Sequence, residues 1–442
     1  MREEHKTCIL PVAGVHDHVL LPASEFKWLV SQPESDVDYR VEDEDQFEHI
    51  LFLNQRLLRT ILRNRLISTV LTRETYNTVP ALLDEIRFTV DSLFGTDTEN
   101  FHEICMRSMV QNVSCQVMNR VFVGQSISRS AKLSNAAIAY MTNIPTVSRT
   151  IRFIWRPLQP LAALFLTLPA RIRTWRIYDI LGPEIERRLA AAEANSVDPE
   201  LEATENDFLR WIIDDMKLSS SMTHAIMDLA CSKYEYIDEL RVEIASVIAK
   251  NSGKFDKRAL ASMVKLDSLM RESQRINTLT TFSAPRFVIK KGGIETPSGI
   301  HVPQGAVLVV PTYSIMHDAA IYPDPYTFKP FRFAGEPTAP DWEGGNSNTQ
   351  GSPPPTTPRQ MPQAWVKVAP EYASFGYGPH ACPGRHIAAV GVKLMMAYII
   401  AHYDFEMQGK RPKNIWSGSV LLGPQRTTVR IRRRKEKDIV FA

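Results

Sequence analysis

Apolar residues recur at three- and four-residue spacing over several long stretches, the periodicity of helices that bury one face. Asp45 to Arg65, Val79 to Leu93, Thr98 to Phe122 and Leu158 to Ala191 carry it, the last after a proline-rich start. Tyr236 to Lys250 places Leu240, Ile244, Val247 and Ile248 on one face and stops at Asn251-Ser252-Gly253. From His386 to Ala401 the chain is almost uninterruptedly apolar (Ile387, Val390, Leu394, Met395, Tyr398, Ile399), which predicts a helix buried all round. Strand patterns are fewer and shorter: Arg286 to Lys290, Val307 to Pro311 and Val429 to Arg433, with turns at Gly292-Gly293 and Pro303-Gln304-Gly305. Cys8 to Leu21 reads as a small hairpin around Val15-His16-Asp17. The expected fold class is mainly α with a small β region.

One segment breaks the pattern. Gly335 to Gln363 is rich in Pro, Gly, Ser and Thr, includes Pro353-Pro354-Pro355 and lacks apolar residues to pack, so a flexible low-complexity insertion is expected at 335–363. Trp365, just beyond it, is where the chain would rejoin the core. A single domain over 8–434 with a short tail at 435–442 accommodates the rest.

Composition narrows the function classes. With 442 residues and 44% hydrophobic content the chain can bury a large core. A net charge of +3 does not suggest nucleic-acid binding, and the run Arg430-Ile431-Arg432-Arg433-Arg434-Lys435 reads as a solvated edge ending the last strand. The five cysteines (Cys8, Cys105, Cys115, Cys231, Cys382) are odd in number and scattered, which argues against a disulfide framework and fits a reducing compartment. No Cys-x-x-Cys or His-x-x-x-His pair suggests zinc. No apolar run reaches the roughly 18–20 residues that span a bilayer; the best candidate, Pro157 to Ala170, is broken by Pro157, Pro160 and Pro169.

The chemistry concentrates in Phe375-Gly376-Tyr377-Gly378-Pro379-His380-Ala381-Cys382-Pro383-Gly384-Arg385. A single cysteine stands between a glycine-rich turn and an apolar helix, with Pro383 suited to the first helical turn. The helix N-terminus offers roughly half a positive charge and free N–H groups, which favour a thiolate. Gly376, Gly378 and Gly384 allow backbone angles and approaches that a side chain blocks. Such a cysteine suits the axial ligand of an iron porphyrin.

This string resembles the haem-binding signature Phe-x-x-Gly-x-x-x-Cys-x-Gly of the cytochrome P-450 superfamily at Phe375, Gly378, Cys382 and Gly384, with Arg385 in the usual following place. Two more segments resemble the family in its order: Glu272-x-x-Arg275, and Pro325-Tyr326-Thr327-Phe328-Lys329-Pro330-Phe331-Arg332-Phe333. The resemblance implies the P-450 fold, with Cys382 as axial ligand of haem b (iron protoporphyrin IX). It also implies a buried triad of Glu272, Arg275 and Arg332 beneath the haem loop. His380 and Arg286 occupy places where relatives often supply propionate partners, and Asn277 to Phe282 resembles a segment lining the substrate cavity, with Leu279, Thr281 and Phe282 as candidate contacts. The microsomal family's N-terminal hydrophobic anchor has no counterpart here.

The flanks Asn206 to Ile213 and His224 to Leu229 look like fungal members of secondary metabolism, the branch that holds the ent-kaurene oxidases. Between them stand only Asp214 to Thr223, about two helical turns or a little more, where the family's distal helix is much longer. Part of that helix is expected to be missing. Ser219, Ser220, Ser221 and Thr223 are the candidates for a distal hydroxyl, though a serine run also suits a helix boundary. The implied function is a haem-thiolate monooxygenase that inserts one oxygen atom from O2 into a hydrophobic small molecule, of terpenoid type. The alternative is a catalytically impaired haem-binding homologue. The resemblance further implies electrons from NADPH through a partner reductase, and residence at the cytosolic face of the endoplasmic reticulum membrane. With no anchor in view, a cytoplasmic chain, peripheral membrane contact through the surface, and an incomplete start stay open.

Overall fold

The computed structural model describes residues 7–10, 18–39, 75–194, 219–335 and 361–435. The expected helix at Asp45 to Arg65, the centre of the N-terminal hairpin, the flank Asn206 to Ile213 with residues 214–218, residues 336–360 of the insertion and most of the tail lie outside them.

The main core is helical. Helices Val79–Phe94, Met106–Val123, Tyr234–Lys250 and Val264–Ile276 pack around the long helix Arg385–His402. Residues from Ile387 to Ala401 of that central helix are buried apart from Ala389, as an apolar run without a polar face requires. A fully buried Leu or Ile contributes about 1.5–3 kcal/mol relative to exposure, so this helix anchors the fold. A second helical layer, Ala131–Arg152, Gln159–Leu166 and Leu168–Ala194, packs on its own smaller cores. The single helix expected from Leu158 to Ala191 is two, parted at Thr167, whose hydroxyl bonds back to the Ala163 carbonyl at 2.7 Å.

The sheets are small. The largest has the order Cys8–Leu10, His18–Leu20, Val307–Val310, Ser283–Val288, Val37–Asp38, with the first two strands antiparallel. A second sheet sets Thr428–Arg433 between His102–Cys105 and Tyr403–Glu406. This corrects two expectations. The helix placed at Thr98 to Phe122 starts only at Met106, because residues 102–105 pair with the last strand; tertiary pairing overrides local propensity. The basic run is not an edge but the middle strand and its exit. Val429 and Ile431 are buried, while Arg430 meets Glu406 at 2.5 Å, Arg432 meets Asp404 at 3.1 Å and Lys435 meets Glu99 at 2.7 Å. Those carboxylates neutralise the run.

Among the described residues, no disulfide links the five cysteines. Trp365 does rejoin the core, fully buried, with its Nε1 donating to Gln274 at 2.6 Å. Among the described residues, no helix is long and apolar enough to cross a membrane.

Candidate functional site

The glycine-rich turn delivers Cys382 to the mouth of the central helix. Gly376 and Gly378 have φ of 74° and 80°, the left-handed region that glycine reaches without strain. Gly378 is also pressed against the helix Phe26–Ser31: a Cβ there would stand 2.9 Å from Val30 Cβ. The turn is closed by Cys382 N–H to the Phe375 carbonyl (2.8 Å) and Ala381 N–H to the Gly378 carbonyl (3.1 Å). Phe375 packs edge-on to Trp365, ring centroids 5.5 Å apart. Gly384 is the N-cap, so Pro383 precedes the helix rather than standing in its first turn. Cys382, half-buried, lies two residues ahead of that cap. Arg385 Nη1 donates to the Cys382 carbonyl at 2.8 Å, and its Nε is buried with no hydrogen-bond partner among the described residues.

His380 and Arg286 come together around one small cluster. His380 stacks on Tyr39 with centroids 3.8 Å apart, and its Nε2 stands 3.6 Å from Glu34. Arg286 follows a register shift between Ser283 and Arg286, with Ala284 at a φ of 54°; such a bulge redirects the side chains after it. Arg286 is buried and donates to the Pro285 carbonyl at 2.8 Å. Burial pushes its pKa down, and nearby Tyr39 and Glu34 only partly offset that. A desolvated guanidinium of this kind gains from an incoming carboxylate. The orphaned Arg385 Nε and the under-compensated Arg286 both fit a dianionic porphyrin, whose metal Cys382 would hold.

Beneath the loop, Glu272 is fully buried and saturated. Arg275 reaches it through Nε (2.7 Å) and Nη2 (3.0 Å), Arg332 through Nε (3.0 Å), and the Lys329 N–H adds a fourth bond at 3.1 Å. The guanidinium groups spend their other donors on carbonyls: Met316 and Pro325 for Arg275, Pro323 for Arg332. One carboxylate thus ties the helix Val264–Ile276 to the 323–332 loop through charge-assisted bonds.

The helix that the family resemblance puts on the distal side is organised differently. Residues 219–230 form a helix that is buried along most of its length. Ser219, Ser220, Ser221 and Thr223 are therefore helical, and the Thr223 hydroxyl donates to the Ser219 carbonyl at 2.7 Å. The helix also carries two buried polar residues that sequence reasoning passed over. Asp228 accepts from Ser273 (2.7 Å) and Asn277 (2.9 Å) and meets Arg411 Nε at 2.5 Å. His224 Nδ1 lies 2.7 Å from Arg411 Nη2. Burial, followed by Arg411 and Arg107, pushes the His224 pKa down to about 3, so the ring is neutral and accepts from Arg411. The available signal was a histidine and an aspartate at i and i+4 in an otherwise apolar run, which demand partners when buried.

Comparison with known proteins agrees with this arrangement. The family model described as Cytochrome P450 matches residues 217–431. The chain is 27% identical to Cytochrome P450 monooxygenase gloP of Glarea lozoyensis, over 93% of this chain and 81% of that protein. It is 29% identical to Cytochrome P450 monooxygenase lnaC of Aspergillus flavus, over 90% and 78%. Identity to Cytochrome P450 monooxygenase adrA of Penicillium rubens is also 29%, over 84% and 72%. A cysteine turn feeding a buried helix, a saturated carboxylate brace and this run of fungal relatives converge: over most of its length the chain is similar to fungal cytochrome P450 monooxygenases, and residues 217–431 match the model of that family.

Proposed function

We propose that this protein is a haem-thiolate monooxygenase that inserts one oxygen atom of O2 into a hydrophobic small molecule, a terpenoid-type secondary metabolite, and that Cys382 would hold the haem iron. The observation that carries it is the placement of Cys382 ahead of the N-cap of a buried helix, with Arg385, Arg286 and His380 disposed for an anionic cofactor. When bound, the haem supplies reductive activation of dioxygen, which thiolate donation favours.

The chain's own residues perform the rest. The helix N-terminus and its free N–H groups stabilise the Cys382 thiolate. Arg286 and His380 bind the propionates. Glu272, Arg275 and Arg332 brace the loop from below, and Phe375, Gly378 and Gly384 set its shape. Leu279, Thr281 and Phe282 contact the substrate. A partner reductase passes electrons from NADPH.

Proton delivery is the step with the thinnest provision. Thr223 spends its proton on the Ser219 carbonyl, leaving only its lone pairs to accept, so Ser219, Ser220 and Ser221 are the other candidates for the relay. That back-bond favours a second reading, a haem-binding homologue with impaired turnover.

Peripheral contact with the cytosolic face of the endoplasmic reticulum membrane has its own support. Phe153, Trp155, Leu161, Phe165 and Trp175 are exposed on one region, and residues 104–178 contain no Asp or Glu but many arginines. Exposed aromatics among cations suit an anionic lipid interface. Sedimentation with phosphatidylserine vesicles but not phosphatidylcholine vesicles is the expected result; equal recovery in both supernatants removes this part.

Reduced, carbon-monoxide-treated protein tests the central reading. A strongly red-shifted Soret band is expected, lost in Cys382→Ala and kept in Cys105→Ala. A shifted band that survives Cys382→Ala sinks the assignment. NADPH-driven product formation with a reductase then separates the working enzyme from the impaired homologue.

A further inference from the structure

The buried polar network on the distal side spans three segments with no other polar link to one another among the described residues. From the 219–230 helix come His224 and Asp228, from the end of the helix Val264–Ile276 come Ser273 and Asn277, and from the loop before the last hairpin come Arg411 and Asn414. Arg411 is the hub. It meets Asp228 (2.5 Å), His224 (2.7 Å), the Asn277 side-chain oxygen (3.1 Å) and the Asn414 side-chain oxygen (3.1 Å). Asn414 returns a bond to the same Asn277 oxygen at 2.7 Å.

Immediately after Asn414 the chain forms the hairpin Ile415–Ser417 and Val420–Leu422. This hairpin lies on residues 279–281: Leu421 N–H donates to the Leu279 carbonyl (2.7 Å), Thr281 N–H to the Ser419 carbonyl (2.8 Å), and Thr280 bridges Val420. After the hairpin, Gly423 packs on the His224 ring, where a Cβ would stand 2.9 Å from Cε1. Both ends of the hairpin therefore rest on one helix, through Arg411 at its start and His224 at its end. Between those ends it is held by the pairing with 279–281 and by Trp416 edge-on to Tyr313, while Ile415 is exposed. Two-stranded hairpins are marginal alone and need an outside support.

We propose that His224, Asp228, Asn277, Arg411 and Asn414 form a clasp that fixes the 415–422 hairpin against 279–281, making Arg411 a positioning residue for substrate selection. The substrate part rests on the reading that 279–282 faces the substrate; the clasp itself does not. Lysine in place of arginine keeps the charge but cannot serve four acceptors in one plane. Release of the hairpin leaves the cysteine loop untouched, because no clasp residue contacts it among the described residues.

Amide hydrogen exchange on the haem-loaded protein tests the clasp. In Arg411→Lys the Leu421 and Thr281 amides are expected to exchange at least about tenfold faster, with Asn414→Ala giving a smaller change, while the 385–402 helix is unaltered. Spectral titration with two iron-binding probes reads the consequence. Affinity for 4-phenylimidazole, whose ring reaches past the metal, is expected to fall about threefold or more, and that for imidazole to stay constant. Unchanged exchange at Leu421 and Thr281 in both variants overturns the clasp, and equal shifts for both probes overturn its role in selection. A wild-type protein that binds no haem removes the functional reading instead, and with it the selection role; apo-protein exchange still decides the clasp. Asn414→Ala, which leaves the Asp228–Arg411 pair intact, keeps the test available if Arg411→Lys does not fold.

Discussion

The two sides of the central site are both held by one buried carboxylate among guanidinium and amide donors, yet they are built on different scales. Below the cysteine loop, Glu272 pairs with Arg275 three residues away and with Arg332 on a neighbouring loop, and all partners are charged or backbone groups. On the distal side, Asp228 meets Arg411 and two neutral side chains, and the aromatic acceptor His224 completes the set. Burial raises the Asp228 pKa against the pull of Arg411, Ser273 and Asn277. The lower brace is charge-saturated and centred on one carboxylate, whereas the upper clasp is a lattice of mixed polarity centred on one guanidinium. The first suits a part that must not move. The second suits a part whose position is to be set and, with modest changes, reset.

Breaking the lower brace should produce the largest effect. Glu272→Ala leaves two arginines facing each other in the core and is expected to destabilise by about 3–5 kcal/mol, seen as loss of folded, haem-loaded protein in urea titrations. A result under about 1 kcal/mol would mean the brace is replaceable by water.

Gly378→Ala perturbs the same side more gently. It forces a left-handed backbone angle on a side chain and pushes into Val30, for about 2 kcal/mol and a lowered haem affinity. Its counterpart above is Gly423→Ala, which crowds the His224 ring without backbone strain. We expect about 1 kcal/mol there, with no change in haem retention. Equal loss of haem in the two variants would erase the contrast between the sides.

Acid sharpens it further. The His224 pKa is about 3 in the folded chain, below that of an unfolded histidine, so the unfolded state takes up a proton that the folded state refuses. Stability therefore falls as pH drops from about 6.5 toward 3, by about 2 kcal/mol between pH 7 and pH 5 from this residue. Arg411, Arg107 and Asp228 are the charged groups around it. His402, at the far end of the 385–402 helix, behaves alike with a pKa of about 4, from burial and Arg433 against the pull of Asp91. His224→Gln should flatten part of the thermal-stability curve below pH 6.5; an unchanged slope would place the acid sensitivity elsewhere.

Legibility from sequence followed the same divide. The cysteine turn sits inside eleven consecutive residues, Glu272 and Arg275 share one helical turn, and Arg332 belongs to its own local string; each is a short-range pattern. The buried helix at 385–402 was equally plain, since its apolar run has no polar side. Arg411 and His224 are 187 residues apart, and nothing near Arg411 marks it as the centre of a network. The strand at His102–Cys105 was hidden for a similar reason, because among the described residues it pairs only with Thr428–Arg433, more than 300 residues later. Tyr39 and Glu34, beside His380, carry no motif and became visible only when the strand Val37–Asp38 docked next to Ser283–Val288.

The hairpin at 415–422 begins just after Asn414 and ends just before Gly423, with Arg411 tying its start, and Gly423 its end, to the same helix. That makes it a replaceable cassette. Libraries randomised between these posts, with His224, Asp228 and Arg411 left intact, would vary the wall presented to a guest molecule while sparing the machinery below. For anyone seeking new oxidation products from this catalyst, those eight positions are the natural place to begin.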